Sequence, residues 1–231
     1  MNNKIHQLEK FRNQRYIFTD RSEAGKALGL MLQPAYDHID EGMVLAIPSG
    51  GVPVGLSVKE ILGLPFDMMI VRKLQIPGNP EAGFGAMTLD GTVFYNEMLL
   101  AELQLSQGQI DAEKRRVSAE LQRRNVLFRK GRPFPDLAGK RVILVDDGLA
   151  SGFTMLASIA MAKKAKALET IVAVPTAPQR TIDHIQSEVN KVYCANIRTT
   201  AYFAVAEAYQ NWYDLDENDV LSILNDRGAP K

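Results

Sequence analysis

Short apolar runs alternate with segments of helical periodicity along most of this chain. The run 43–47 is continuously apolar and leads into Pro48-Ser49-Gly50-Gly51, which predicts a buried strand followed by a tight turn. Runs of this length are too short for helices and favour strands that are covered on both faces. Five strands are predicted in all, at 43–47, 66–73, 141–147, 170–175 and 191–196.

Apolar side chains recur at helical spacing between these strands. Asp20 or Ser22 is the candidate N-cap of the first helix, and Gly63 is expected to end the second. Strands that alternate with helices predict an α/β fold with a mainly parallel sheet flanked by helices, whose ligands bind at the carboxyl ends of the strands. The predicted helical segments are 22–39, 55–63, 97–128, 155–167 and 181–189.

The segment 75–95 does not fit this alternation. It is rich in Gly and Pro and is too long for an ordinary connection. A hairpin or a mobile loop is expected there, and such segments are often functional.

Composition limits the class of protein. With 231 residues, 46% of them hydrophobic, the chain can bury the core of one large domain. The 27 basic and 27 acidic residues balance, so no overall field favours nucleic acid or an anionic membrane. The single cysteine, Cys194, excludes an internal disulfide and fits a reducing compartment. The polar N-terminus and the lack of a long apolar window favour a cytoplasmic protein.

The two acids that follow the run 142–145 need partners, because neighbouring carboxylates repel each other. One of them can cap the next helix, but this leaves the other unexplained. In the stretch 148–154, backbone N–H groups and the hydroxyls of Ser151 and Thr154 can surround a phosphate at a helix N-terminus. The combination suits a phosphorylated sugar, with its hydroxyls on Asp146 and Asp147.

Other motifs fit these residues less well. An acidic pair after an apolar strand is also typical of receiver domains, but there it ends the first strand, whereas two predicted strands precede it here. Gly50 and Gly55 have the spacing of a P-loop, but Leu56 occupies the position that requires lysine. No G-x-S-x-G elbow occurs, and the three histidines lack metal-ligand spacing.

The stretch VILVDDGLASGFTM (142–155) resembles the phosphoribosyl diphosphate-binding signature of type I phosphoribosyltransferases. AIPSGGVPVG (46–55) resembles the pyrophosphate loop of that family, and VRK (71–73) resembles the basic strand end of adenine phosphoribosyltransferases. The stretches FTDRSEAGKALG, VRKLQIPGNPEAGFGAM and FAVAEAYQNWYDLDENDV resemble a bacterial subgroup of predicted phosphoribosyltransferases, so the similarity touches most of the chain.

The resemblance implies one phosphoribosyltransferase domain over 1–231, with a small hood from the N-terminal and C-terminal segments and a flexible lid loop at about 75–95. It implies Mg²⁺-dependent transfer of phosphoribosyl from 5-phosphoribosyl 1-diphosphate to a nitrogen acceptor, a nucleobase, with release of pyrophosphate, as in nucleotide salvage. A homodimer is also expected.

The resemblance implies that the acid pair and the loop after it bind the ribose 5-phosphate part of the donor. Asp146 and Asp147 contact the ribose 2′- and 3′-hydroxyls, and they reach Mg²⁺ mainly through the donor and water. The residues expected around the 5-phosphate are Gly148, Leu149, Ala150, Ser151, Gly152, Phe153 and Thr154.

The resemblance also implies which residues bind the diphosphate end of the donor. Ser49, Gly50 and Gly51 present main-chain N–H groups to it, with a non-proline cis peptide bond in the turn. Arg72 and Lys73 add positive charge that matters more as pyrophosphate leaves. Close relatives tend to carry a basic residue at the position of Ser49, so Arg72 and Lys73 are also expected to supply that contact.

Exclusion of water from this reaction requires a lid. Glu81 lies within it and either touches the base or ribose or is a solvated charge. The candidate hinges of the lid are Gly78, Gly83, Gly85 and Gly91.

The acceptor is expected near Thr176-Ala177 and the stretch 199–205, where Tyr202 or Phe203 either stacks on a ring or belongs to the core. A cluster of arginines is interpreted as a helix surface or a subunit contact, with a neighbouring active site as the alternative. Its members are Arg115, Arg116, Arg123 and Arg124.

Two functional classes follow from these residues. The first is the transferase, favoured by the glycine-rich lid and by the basic pair. The second is a non-catalytic sensor that binds phosphoribosyl diphosphate or a nucleotide and regulates a partner, since fold alone does not separate the two. Hydrolysis of the donor by a leaky site is a third reading.

Overall fold

The computed structural model describes residues 4–227, except for the side chains of Pro80 and Glu81. Its strands are β1 (Ile5–His6), β2 (Gly42–Ala46), β3 (Phe66–Met68), β4 (Val71–Ile76), β5 (Asn79–Thr88), β6 (Val93–Tyr95), β7 (Arg141–Val145), β8 (Glu169–Pro178) and β9 (Lys191–Arg198). Its α-helices are α1 (Arg21–Tyr36), α2 (Gly51–Leu62), α3 (Glu97–Leu103), α4 (Gln107–Arg129), α5 (Phe153–Lys164), α6 (Gln179–Ile185) and α7 (Glu217–Arg227). Within these residues no helix combines the length and the apolar character that crossing a membrane requires.

Six strands form one parallel sheet in the order β1-β9-β8-β7-β2-β3. Successive side chains of β7 enter two different cores: Ile143 and Val145 join one, and Val142 and Leu144 join the other. Both faces of the sheet are therefore buried, which explains the continuous apolar runs in the sequence. The predicted α/β fold with a mainly parallel sheet is confirmed.

The prediction of one strand over 66–73 is wrong, because this run contains two strands that belong to different sheets. β3 ends at Met68 and pairs with β2, whereas β4 begins at Val71 and pairs with β5 in a separate antiparallel sheet. Met69 and Ile70 between them are buried. The apolar run therefore continues across the change of sheet and conceals it.

The segment 75–95 is folded as hairpins. β5 pairs with β4 on one side and with β6 on the other, so the hairpin alternative is correct for this part of the chain. Of the expected hinges, Gly78 and Gly91 lie in the two turns, whereas Gly83 and Gly85 lie within β5. Its role as a lid stays a prediction.

Several helix ends follow from local signals. Asp20, one of the two candidates, caps α1, and Gly63 ends α2 in the left-handed conformation with φ of 64°. The predicted helix 97–128 is in fact α3 and α4, because Gln104 is left-handed and Ser106 starts α4 with a capping box.

The N-terminal and C-terminal parts of the chain pair with each other. Phe18 forms a parallel bridge with Tyr209, and its N–H donates to the carbonyl oxygen of Ala208 at 3.0 Å. The Tyr209 hydroxyl donates to the carbonyl oxygen of Asp147 at 2.6 Å. The segments from which a hood was expected therefore lie against the carboxyl end of β7.

Candidate functional site

Three helices begin where strands of the main sheet end: α2 after β2, α5 after β7 and α6 after β8. Their N-cap residues are two glycines and a proline, which supply no side-chain hydrogen bond. By contrast, Asp20, Asn96 and Ser106 cap α1, α3 and α4. The first amides of a helix have no intrahelical acceptor and carry partial positive charge. The carboxyl edge of the sheet therefore presents donor groups suited to anions.

Asp146 and Asp147 lie at this edge, at the end of β7. The Asp147 N–H donates to Oδ1 of Asp146 at 2.9 Å. Arg21 Nε donates to Oδ2 of Asp147, also at 2.9 Å, and the two side chains are only 7% and 14% exposed. One acid of the pair therefore has a cationic partner that the sequence pattern did not reveal. Carboxylate lone pairs remain on both residues for hydroxyl donors.

The C-terminal segment holds Arg21 in place. Its Nη1 donates to the carbonyl oxygen of Tyr213 at 2.9 Å, and its Cζ lies 4.0 Å from the centroid of the Trp212 ring. Periodicity shows Arg21 only as a polar residue at a helix start. The one sign of its importance in the sequence is its position inside the stretch FTDRSEAGKALG.

The two carboxyl groups titrate differently from exposed ones. Burial raises the pKa of Asp146 well above its usual range, and the charge of Asp147 raises it further. Burial also raises the pKa of Asp147, whereas the ion pair with Arg21 opposes this. A raised folded-state pKa contributes stability below the unfolded pKa, and this contribution is lost as the pH rises through the folded pKa.

We expect Asp146→Asn to raise the melting temperature of the ligand-free protein at pH 7. The rise is about 2–4 °C for each kcal/mol by which the free energy of unfolding increases. Asparagine keeps an acceptor for the Asp147 N–H and removes a carboxyl group whose ionised form is destabilised by burial. The gain is expected to vanish near pH 4, where a carboxyl group of ordinary pKa, about 3.9, is half protonated even when unfolded.

Thermal unfolding at both pH values measures this difference. Asp40→Asn serves as the control because Asp40 lies in the turn before β2, away from the acid pair. A lower melting temperature for Asp146→Asn than for the wild type at pH 7 would contradict the expected relief of charge repulsion.

The turn 48–51 lies directly against the acid pair. A Cβ atom on Gly50 would overlap Oδ2 and Cγ of Asp147. A Cβ atom on Gly51 would lie 2.7 Å from the carbonyl oxygen of Val145. Glycine is required at both positions because the backbone of the turn approaches β7 so closely. The two motifs therefore form one site.

The amides of this turn differ in what they already bind. The peptide bond between Pro48 and Ser49 is cis, in the turn where the resemblance implies one. The Gly51 N–H donates to the carbonyl oxygen of Ile47 at 3.0 Å, so it is less available than expected. The amides of Ser49 and Gly50 remain the candidates for an anion.

The loop after the acid pair is anchored to the neighbouring strand and helix. The Leu149 N–H donates to the carbonyl oxygen of Thr176 at 3.0 Å, and the Thr181 hydroxyl donates to that of Ala150 at 2.7 Å. Gly152 precedes α5 with φ of 82°, a conformation that favours glycine. The loop is therefore shaped before any ligand binds.

A cavity of about 240 Å³ adjoins this loop and the antiparallel sheet. Lys73, Ser151 and Thr154 line it, together with Gly83 and Gly85 of β5. It combines a lysine, two hydroxyls and the start of α5, which are the groups that commonly bind phosphate.

The prediction that Arg72 and Lys73 end a core strand is wrong, because β4 belongs to the second sheet. Neighbouring residues of a strand point to opposite faces. Lys73 lines the 240 Å³ cavity, whereas Arg72 forms an ion pair with Glu120 of α4. The structure thus divides the basic pair between the two sides of β4.

The arginine cluster of α4 is also divided. Arg115 is exposed, and Arg116 and Arg123 pair with glutamates, as expected of a helix surface. Arg124 is only 3% exposed, and its Nη2 donates to Oγ of Ser49 at 3.2 Å. The surface interpretation is therefore wrong for Arg124, which reaches the turn 48–51 of its own chain.

The residues expected near the acceptor occupy different environments. Ala177 is buried, and the hydroxyl of Thr176 donates to the carbonyl oxygen of Asn196. Tyr202 is 86% exposed and Phe203 is half-buried. A cavity of about 440 Å³ lies at the carboxyl ends of β8 and β9, lined by residues of 178–183 and 198–201. The side chain of Glu81, a further candidate, lies outside the described part of the chain.

A parallel sheet with a glycine turn and an acidic pair at its carboxyl edge is the arrangement that the resemblance to phosphoribosyltransferases predicts. The model of the family described as "Phosphoribosyl transferase domain" matches residues 23–212. The chain belongs to this family.

Individual relatives agree with this assignment. A Mycobacterium tuberculosis protein with the name "Putative phosphoribosyl transferase" is 34% identical over 210 residues, which are 90% of this chain and 46% of the relative. The chain thus spans about half the length of the curated relatives it matches.

Solved structures share the fold. The crystal structure of the protein TT1426 from Thermus thermophilus is similar with a TM-score of 0.74 and 30% identity, over 90% of this chain and 98% of that one. A hypoxanthine phosphoribosyltransferase from Staphylococcus aureus is similar with a TM-score of 0.50 and 11% identity, over 88% of each chain, and shows the fold alone.

Proposed function

We propose that this protein binds 5-phosphoribosyl 1-diphosphate and, with Mg²⁺, transfers its phosphoribosyl group to a nitrogen acceptor, a nucleobase, with release of pyrophosphate. The proposal depends above all on one observation: the turn 48–51 touches Asp147, and the anchored loop 148–152 continues from the same residue. Along this edge the sites for two anions stand on either side of a site for hydroxyls. The donor has the same order of groups, with a diphosphate, a ribose diol and a 5-phosphate.

Different residues of this edge bind the different groups of the donor. The ribose hydroxyls donate to Asp146 and Asp147, and the ion pair with Arg21 favours the ionised form of Asp147 despite its burial. The 5-phosphate occupies the 240 Å³ cavity, with Ser151 and Lys73 beside the start of α5. This arrangement leaves the diphosphate at the start of α2.

The acid pair is suited to Mg²⁺, which prefers oxygen ligands and usually keeps several waters. Among the side chains that the structure describes, no group of three or more His, Cys, Asp or Glu residues could hold a metal ion. Asp146 and Asp147 would hold the ion through donor hydroxyls and water, in keeping with their remaining lone pairs. When bound, Mg²⁺ neutralises charge on the departing diphosphate.

The bond from ribose C1 to the diphosphate oxygen breaks and a bond from C1 to the acceptor nitrogen forms, through a transition state like an oxocarbenium ion. The acceptor nitrogen gives up its proton to water or to the departing pyrophosphate. The departing oxygen takes the bonding electron pair, so negative charge grows at the turn 48–51. The amides of Ser49 and Gly50, just before α2, stabilise that charge as it develops. Closure of the lid at about 75–95 over the site excludes water, which would otherwise hydrolyse the donor.

The decisive experiment is release of pyrophosphate from the donor and Mg²⁺ across a panel of purine and pyrimidine bases, with a reaction that lacks acceptor. Base-dependent release supports the transferase. Tight donor binding without turnover on any base would overturn it in favour of the sensor, and base-independent release would point to hydrolysis. The homodimer, the cytoplasmic location and the absence of a nucleic-acid partner stay predictions.

A further inference from the structure

Arg124 is an unusual cation because it is buried and incompletely paired. Its side chain is 4% exposed, and its Cζ lies 5.1 Å from the centroid of the Phe128 ring. Within residues 4–227 its Nε has no hydrogen-bond acceptor, and the nearest carboxylate oxygen, Oε1 of Glu217, is 3.4 Å away. Glu217 is already engaged at 2.6 and 2.7 Å by both terminal nitrogens of Arg123. A buried donor without an acceptor is costly and calls for an explanation.

The guanidinium of Arg124 points at the turn 48–51. Its Nη2 donates to Oγ of Ser49 at 3.2 Å, which joins a cationic side chain directly to the turn. The turn begins α2, whose N-terminus has no side-chain cap. A buried, incompletely satisfied cation therefore lies beside the turn whose Ser49 and Gly50 amides are the candidates for an anion.

Arg124 and the charged side chains around it also carry a net positive charge, which favours binding of an anion. Burial lowers the pKa of Arg124, and the nearby charge of Arg72 lowers it further. Four arginines share three glutamates in this network, so one positive charge is in excess. The arginines are Arg72, Arg116, Arg123 and Arg124, and the glutamates are Glu113, Glu120 and Glu217.

We propose that Arg124 binds the diphosphate end of the donor at Ser49, and that this contact supplies the positive charge that the turn itself lacks. The inference rests on the proposed function. It assigns to a residue of α4 a contact that sequence reasoning placed on Arg72 and Lys73. Arginine suits this position because its planar donors bind phosphate oxygens in pairs.

The test is binding of inorganic pyrophosphate and of ribose 5-phosphate, each with Mg²⁺ and without acceptor, by isothermal titration. Arg124→Gln is expected to weaken pyrophosphate binding by about 10- to 100-fold, the effect of losing charge-assisted hydrogen bonds. Binding of ribose 5-phosphate is expected to stay within about twofold, because its groups lie elsewhere on the edge. The control is Arg115→Gln, an exposed arginine of the same helix, for which a change within about twofold is expected for both ligands.

Arg124→Lys keeps a charge in the same place and is used if the glutamine variant does not fold. It is expected to lose part of the pyrophosphate affinity, because lysine lacks the paired donors. In the wild-type protein the Arg124 Nε–H resonance, assigned by its loss in the lysine variant, is expected to shift with pyrophosphate and not with ribose 5-phosphate.

Pyrophosphate affinity equal to wild type in a folded variant, or an Nε–H resonance that pyrophosphate leaves unmoved, overturns the role of Arg124. Wild-type protein that binds neither ligand would instead overturn the proposed function. The two failures are therefore distinguishable.

Discussion

Gly50→Ala is expected to lower the affinity for 5-phosphoribosyl 1-diphosphate by about 100-fold, which corresponds to the loss of one or two charge-assisted hydrogen bonds. The added methyl group would overlap the carboxylate of Asp147, which Arg21 holds in place. The turn 48–51 must therefore move away from β7. This displaces its amides from the diphosphate while the rest of the edge stays intact.

Titration of the donor into Gly50→Ala measures this loss, and circular dichroism shows whether the fold is retained. The matched control is Gly108→Ala in α4, where an added Cβ meets nothing closer than 4.0 Å. A folded Gly50→Ala protein with the donor affinity of the wild type would show that the turn does not hold the diphosphate.

Asp147→Asn is expected to weaken donor binding by about 30-fold, because a neutral amide accepts hydroxyl hydrogen bonds less strongly than a carboxylate does. The fold is expected to survive. Loss of the buried ion pair with Arg21 is destabilising, but relief of the repulsion from Asp146 opposes that loss. Arg21 also keeps its contacts with Tyr213 and Trp212.

Donor titration and thermal unfolding, run side by side, separate the two effects of Asp147→Asn. Asp40→Asn is again the control, since Asp40 lies before β2, at the opposite end of the strand from the site. Donor affinity that stays at the wild-type level in Asp147→Asn would remove the ribose assignment.

The sequence predicts well those parts of the fold that local patterns determine. β2 and residues 142–145 of β7 are buried on both faces, so each forms an apolar run that is visible without a structure. Asp146, Asp147 and the loop after them are contiguous in the chain, and their chemistry is therefore visible as a motif. The two-residue β1 and the division of 66–73 between two sheets leave no periodic signal.

The sequence does not predict the residues that contact the motif, because they come from remote parts of the chain. Arg21 meets Asp147 across 126 positions, and Arg124 meets Ser49 across 75. Each is a polar residue on an amphipathic helix, a pattern that is typical of a solvated surface. Only the packing of α1 and α4 against the rest of the fold shows that these two arginines point inward.

The uncapped starts of α2 and α5 have a thermodynamic consequence. In α1, α3 and α4 the side chain of the N-cap residue accepts a hydrogen bond from the first turn, whereas the N-caps of α2 and α5 are glycines and a bound anion would add an acceptor there. A ligand that binds only the folded state adds its binding free energy to the stability of the fold, about 2.7 kcal/mol at a concentration 100 times its dissociation constant. If the proposed ligands bind at this edge, its resistance to unfolding is expected to rise with their concentration.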